Sequence, residues 1–142
     1  MTEAILKAIT LYQPHATLVV LGEKRIETRP RKWGFVGQVA IHASLSHKWM
    51  HLCETEPFKS ALSRHGLTSG DLDFGYVLGE VYKTGCFPTE TMGGISSLER
   101  DFGDYSPGRF AYTTEHFIRY QVPRLARGQQ GIWEWYRDSE VV

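Results

Sequence analysis

Six segments of this chain have the length and residue types of β-strands, most of them with a glycine or proline next to one end. They span Lys7 to Leu11, Arg25 to Arg29, Gln38 to Ser44, Tyr76 to Lys83, Arg109 to Glu115 and Ile132 to Tyr136. In the third, Val39, Ile41 and Ala43 alternate with Ala40, His42 and Ser44, the two-residue period of a pleated strand. Gly79 inside the fourth predicts a bulge or a close backbone approach. Helices are few. Pro14 suits the first turn of a short apolar helix through Leu21, with Gly22 as its stop. A second helical stretch is expected around Ser46 to Arg64, split by Pro57. Glu90 to Gly108 reads as Gly-rich and irregular, with one short helix at Ser97 to Phe102. Strands therefore outnumber helices, in an order that suits an α+β fold: a small β-barrel flanked by helices.

The 142 residues fit one domain, 1–142, with no repeat and no low-complexity linker. Lys+Arg and Asp+Glu stand at 16 each, a balance that argues against a generic binder of long duplex nucleic acid. It leaves open a pocket for one nucleotide or a short single strand. The basic residues are uneven: Lys24, Arg25, Arg29, Arg31 and Lys32 crowd one stretch, and Arg119, Arg124 and Arg127 form a second group. Cys53 and Cys86 form no CxxC pair, and a reduced, cytoplasmic setting is the simplest reading. No apolar run is long enough to cross a membrane, and no signal-peptide pattern is present.

The segment from Gly22 to Arg29 reads GEKRIETR and matches the pattern GxKxxExR. Three further segments fall in order around it: Leu11-Tyr12-Gln13-Pro14, then Gly37 to Ser44 (GQVAIHAS), then Gly128 to Trp133 (GQQGIW). Together they resemble the ASCH-domain family of the PUA-like superfamily, over roughly the whole chain. The resemblance implies a PUA-like barrel whose cleft, lined by the signature Lys, Glu and Arg, binds RNA. Some bacterial members of that family are hydrolases that remove an acyl group from modified cytidine, and others are ribonucleases. The deacylases use a Lys, a Thr and a Glu. Lys24 stands where their Lys would be, but Glu27 holds the place of the Thr and offers no hydroxyl nucleophile, although Thr28 is adjacent.

Residue chemistry supports several candidates. On a strand, Glu27 and Arg29 share a face while Ile26 and Thr28 point the other way. A guanidinium grips phosphate bidentately, an ammonium adds a point charge, and a carboxylate orients either or accepts from a base amino group. The plainer reading of the trio is a solvated strand with weak ion pairs. Glu80 sits in an apolar strand, and beside Lys24 it would form an acid–base pair if the chain is an enzyme. His42 and Ser44 share one strand face, as ligand contacts or as structural hydrogen bonds. Trp33, next to Arg31 and Lys32, suits base stacking with phosphate contact, against the common fate of a core tryptophan. Trp133 and Gln13 are candidate cleft residues. His47 and His51 have a spacing that can bind zinc, but Lys48 replaces the Glu of HExxH, so a surface helix is simpler. No metal or cofactor is implied, and a monomer is expected. Three functions stay open: a binding domain for RNA, single-stranded nucleic acid or a modified nucleoside; an amidohydrolase or ribonuclease; and a protein-interaction module using Trp33 and the stretch from Glu90 to Gly108.

Overall fold

The computed structural model describes residues 4–137. Strand β1 (Ala4–Leu11) leads through α1 (His15–Val20) to β2 (Ile26–Arg29) and β3 (Gly37–Ala43). A 3₁₀ turn (Met50–Glu54), α2 (Phe58–Ser63) and a second 3₁₀ turn (Ser69–Asp71) precede the long β4 (Tyr76–Pro88). A third turn and α3 (Ser97–Asp101) lead into β5 (Phe110–Leu125), and β6 (Ile132–Arg137) completes the set. The strands form one mixed sheet in the order β2-β5-β4-β3-β1-β6, in which only the β1–β3 pair is parallel. None of the helices among the described residues is long and apolar enough to cross a membrane.

The barrel expected from the strand order is not closed. Among the described residues β2 pairs only with β5 and β6 only with β1, so no backbone ladder joins the two ends. The sheet is nevertheless strongly curled. Ile9, Glu27, Ile41, Val81 and Tyr112, from five different strands, border one small pocket. The curl carries β2 back toward β1, and there Arg29 crosses the seam to donate from Nη1 to the Thr10 carbonyl at 3.4 Å. A side chain stands where a closed barrel would have strand pairing.

Both faces of the sheet are covered. Ile9, Leu11, Val39, Ile41 and Val81 pack with Val19 and Val20 of α1 on one face. On the other, Leu6, Ala8, Ala40, Val77, Tyr120 and Trp133 form a second cluster. β3 is consequently buried on both its rows, which is why its polar-looking row carries Ala40 and His42. A third cluster, with Leu18, Phe58, Leu62 and Phe102, holds the loops and α2 against α1. Gly79 is a close approach as well as a bulge site. A Cβ there would lie 2.0 Å from the Ile118 carbonyl oxygen, and the pairing of β4 with β5 shifts register between Val77 and Gly79.

Candidate functional site

The signature segment is shaped by how α1 ends. Gly22 adopts φ +76°, a conformation that costs a side-chain-bearing residue dearly, and the N–H groups of Glu23 and Lys24 both return to the Leu18 carbonyl, at 3.0 and 3.1 Å. The tight reversal turns Lys24 inward. Its side chain is 1% exposed, an unusual place for an ammonium unless it is paired. It is paired: Nζ donates to the Ile26 carbonyl and, at 3.0 Å, to Glu27 Oε1. The other carboxylate oxygen of Glu27 lies 3.7 Å from Arg29 Nη1. Burial by itself would raise the Glu27 pKa, but the charges of Lys24 and Arg29 outweigh it and hold the carboxyl below its ordinary value. Among the described residues Arg29 makes its polar contacts through Nη1 alone, both of them long, and its Nε and Nη2 donors have no partner.

Two groups that the sequence does not flag flank this trio. His15, at the start of α1, packs edge-on against Phe58 and feels both Glu27 and Lys24. Burial pushes its pKa down to about 4, so the ring is neutral at physiological pH, and its Nδ1 is buried without a hydrogen-bond partner. Tyr105 comes from the irregular stretch before β5. Burial raises its phenol to about 12, with Glu99 adding to the effect, and its hydroxyl is likewise buried and unpaired. Neither residue has a motif or spacing that would have revealed it; the curl of the chain brings them in.

The remaining predicted residues fall into other networks. His42 is buried, with Nε2 2.7 Å from the Ala126 carbonyl and Nδ1 3.2 Å from Thr10 Oγ1. A carbonyl only accepts, so Nε2 carries the proton and Nδ1 accepts from Thr10. Trp133 Nε1 donates to the same hydroxyl at 3.1 Å. His42 and Trp133 are thus brought together, next to Arg29 through the Thr10 backbone. Ser44 is not: it lies just beyond β3, and its Oγ accepts from the Ser46 N–H at 3.0 Å. Gln13 is fully buried with both ends of its amide on backbone groups, donating to the Asp73 carbonyl and accepting from the Thr17 N–H. That arrangement braces the α1 junction and leaves nothing to read a base edge. Trp33 stacks on Phe35 with centroids 5.2 Å apart and meets Tyr112 edge-on, so it packs onto the core instead of standing open.

The Lys24–Glu80 pair is not formed. In the β3–β4 register Val39 faces Val81 and Ala40 faces Glu80, so Glu80 points to the opposite face from the Glu27 side of the sheet. It is 1% exposed and accepts from Gln38 at 3.0 Å, from Arg137 at 2.6 Å and from the Tyr120 hydroxyl. Another buried cation, Lys83, falls on the core side at period two from Val81. Its Nζ donates to the carbonyls of Trp33 and Phe35 and sits 4.7 Å from the Tyr112 ring centre. His47 and His51 do not share a helix; His47 precedes the 3₁₀ turn and stacks on Phe74 with centroids 3.9 Å apart.

Together the fold and the site define a curled, six-stranded α+β domain with a cationic, carboxylate-centred cluster at the seam of its sheet. No family model matches the chain, and no curated protein does. Among solved structures it is similar to an ASCH protein from Zymomonas mobilis, with a TM-score of 0.48 and 17% identity, covering 84% of this chain and 72% of that one. A tyrosine-to-phenylalanine variant of the same protein gives 0.49 and 15%, over 84% and 74% of the two chains.

Proposed function

We propose that this chain is an ASCH-like binding domain, and that the seam beside Lys24, Glu27 and Arg29 takes a single nucleotide, either free or within a short single strand of RNA. One observation carries the reading. Arg29 Nη1 stands between Glu27 and the Thr10 carbonyl, and its other donors have no partner among the described residues. A guanidinium so placed keeps its remaining donors for bidentate contact with a phosphate. Glu27 stays ionised beside it and is a ready acceptor for a base amino group or a ribose hydroxyl. The balanced net charge suits one splayed nucleotide better than a duplex. Glu80 faces away from Lys24, so the Lys24–Glu80 pair on which the hydrolase alternative rested is not formed.

The test is titration of a fluorescent short single-stranded RNA and of N4-acetylcytidine at low salt, with binding and product followed together. Arg29→Ala is expected to weaken RNA binding about tenfold or more while the protein stays folded. Binding of RNA that is unchanged in Arg29→Ala, or no binding at all at low salt, would sink the proposal. Product formation would move the assignment to an enzyme.

A further inference from the structure

A groove that shares no residue with the Lys24–Glu27–Arg29 cluster opens where α1, β4, β5 and the turn after Ser69 meet. Its volume is about 460 Å³, within the range of small-molecule sites. Val20, Leu72 and Leu78 form an apolar floor and are themselves anchored in two core clusters. Thr17 also borders it. This residue is 4% exposed, and its hydroxyl has no hydrogen-bond partner among the described residues.

The charged residues of the groove come from different elements. Asp71 and Asp73 approach from the turn, and Arg119 stands on β5. The Asp71 carboxylate caps its own turn, accepting from the Thr68 N–H at 2.8 Å and from the Thr68 hydroxyl at 3.1 Å. Asp73 and Arg119 make no such contact. They border one space, yet neither forms an ion pair with the other or with any other described residue. Opposite charges that share a groove without meeting leave room for a ligand that carries both signs. The groove is also pre-organised: Gln13 donates to the Asp73 carbonyl at 2.9 Å and accepts from the Thr17 N–H at 3.0 Å, tying the acidic side to the helix beneath.

Two carboxylates against one guanidinium disfavour a phosphate. They match a ligand whose ammonium balances the acids and whose carboxylate meets the arginine, with an apolar body on the floor. We propose that this groove binds a zwitterionic α-amino acid with an apolar side chain, free or as a short peptide. Its ammonium lies toward Asp73 and Thr17, and its carboxylate is held by Arg119.

Calorimetric titration of the whole chain with L-leucine, L-phenylalanine and Leu-Leu, each beside its N-acetylated and C-amidated counterpart, tests this. The zwitterions are expected to bind, and blocking either end is expected to weaken them about tenfold or more. Arg119 is exposed, so Arg119→Gln keeps the fold, as circular dichroism will verify. That variant should bind the free carboxylate no better than the parent binds the amide. Tighter binding of Leu-Leu assigns the site to peptides, and tighter binding of the single residues assigns it to free amino acids. The proposal is overturned if blocked and unblocked compounds bind alike, if none binds at millimolar concentration, or if adenosine monophosphate occupies the groove in their place.

Discussion

Trp133 Nε1 donates to Thr10 Oγ1 at 3.1 Å, and that one hydroxyl is where three separate stretches of sequence meet. It faces His42 Nδ1 at 3.2 Å, while the Thr10 carbonyl receives Arg29 at 3.4 Å. Replacing Thr10 by Val keeps the shape but strands an indole N–H and an imidazole nitrogen in a partly buried setting. The expected cost is roughly 1–3 kcal/mol, read as a lower urea midpoint at unchanged m-value. Thr10→Ser, which keeps the hydroxyl, is expected to lose much less. A Thr10→Val variant as stable as the parent beside a destabilised Thr10→Ser would show that the methyl and not the hydrogen bonds matter at this position.

The Lys24–Glu27 pair predicts a pH signature. A carboxyl held below its ordinary value of 4.5 contributes stability that is full above about that pH and is lost as the pH falls through the folded-state value. Lys24→Met leaves Glu27 without its nearest cation, so that variant is expected to lose about 3 kcal/mol at pH 7, the low end for a broken buried pair because Glu27 keeps some water contact. Protonating Glu27 should recover part of that loss. Urea unfolding at pH 7 and pH 4 is expected to show the gap between parent and variant narrowing in acid; a constant gap would mean that Lys24 acts through packing alone.

Much of the sheet is legible in the sequence, because apolar alternation or a neighbouring Gly or Pro marks most of its strands. Several boundaries are not, and β4 runs on to Pro88, past the expected end at Lys83. The reading Arg109 to Glu115 stops β5 ten residues early, since His116, Arg119, Gln121 and Val122 face solvent and break the alternation. The helix expected over Ser46 to Arg64 shrinks to a 3₁₀ turn and Phe58–Ser63. Ser44 and Ser46 take the N–H groups of Ser46 and Lys48, and Thr55 donates to the Leu52 carbonyl, so local side-chain bonds replace helical ones before Pro57. Within the candidate site, Lys24, Glu27 and Arg29 follow from spacing along one short segment. Thr10, His15 and Tyr105 do not, because their proximity depends on how far the sheet curls, which no local pattern encodes.

His15 makes a prediction of the same kind with a different window. Its folded-state pKa of about 4 lies below the ordinary 6.5, so the folded protein binds fewer protons than the unfolded chain between those values. The stabilisation is fully present above about pH 6.5 and is lost as the pH falls toward 4. His42, also lowered by burial, acts in the same direction. His15→Phe is expected to flatten the acid limb by roughly 2 kcal/mol without abolishing it. Imidazole chemical shifts give the direct check: the His15 ring should remain neutral at pH 5.5, and a midpoint near 6.5 would contradict its burial beside Lys24.

Gly79 offers the sharpest steric test. A Cβ at this position would meet only backbone: the Ile118 oxygen at 2.0 Å, its carbonyl carbon at 3.0 Å and the Arg119 Cα at 3.1 Å. No rotamer change relieves such a contact, so Gly79→Ala must push β4 and β5 apart in the short paired run between two register shifts. The expected loss is about 3 kcal/mol or more, the upper end for overpacking. Gly66 is the matched control, with φ +70° and nothing within 4 Å of an added Cβ. Gly66→Ala carries only the conformational cost, about 1 kcal/mol. Urea midpoints of the two variants are expected to differ accordingly. If Gly79→Ala proves as mild as Gly66→Ala, the two strands separate more readily than this packing allows, and the position of Arg119 above its groove would shift with them.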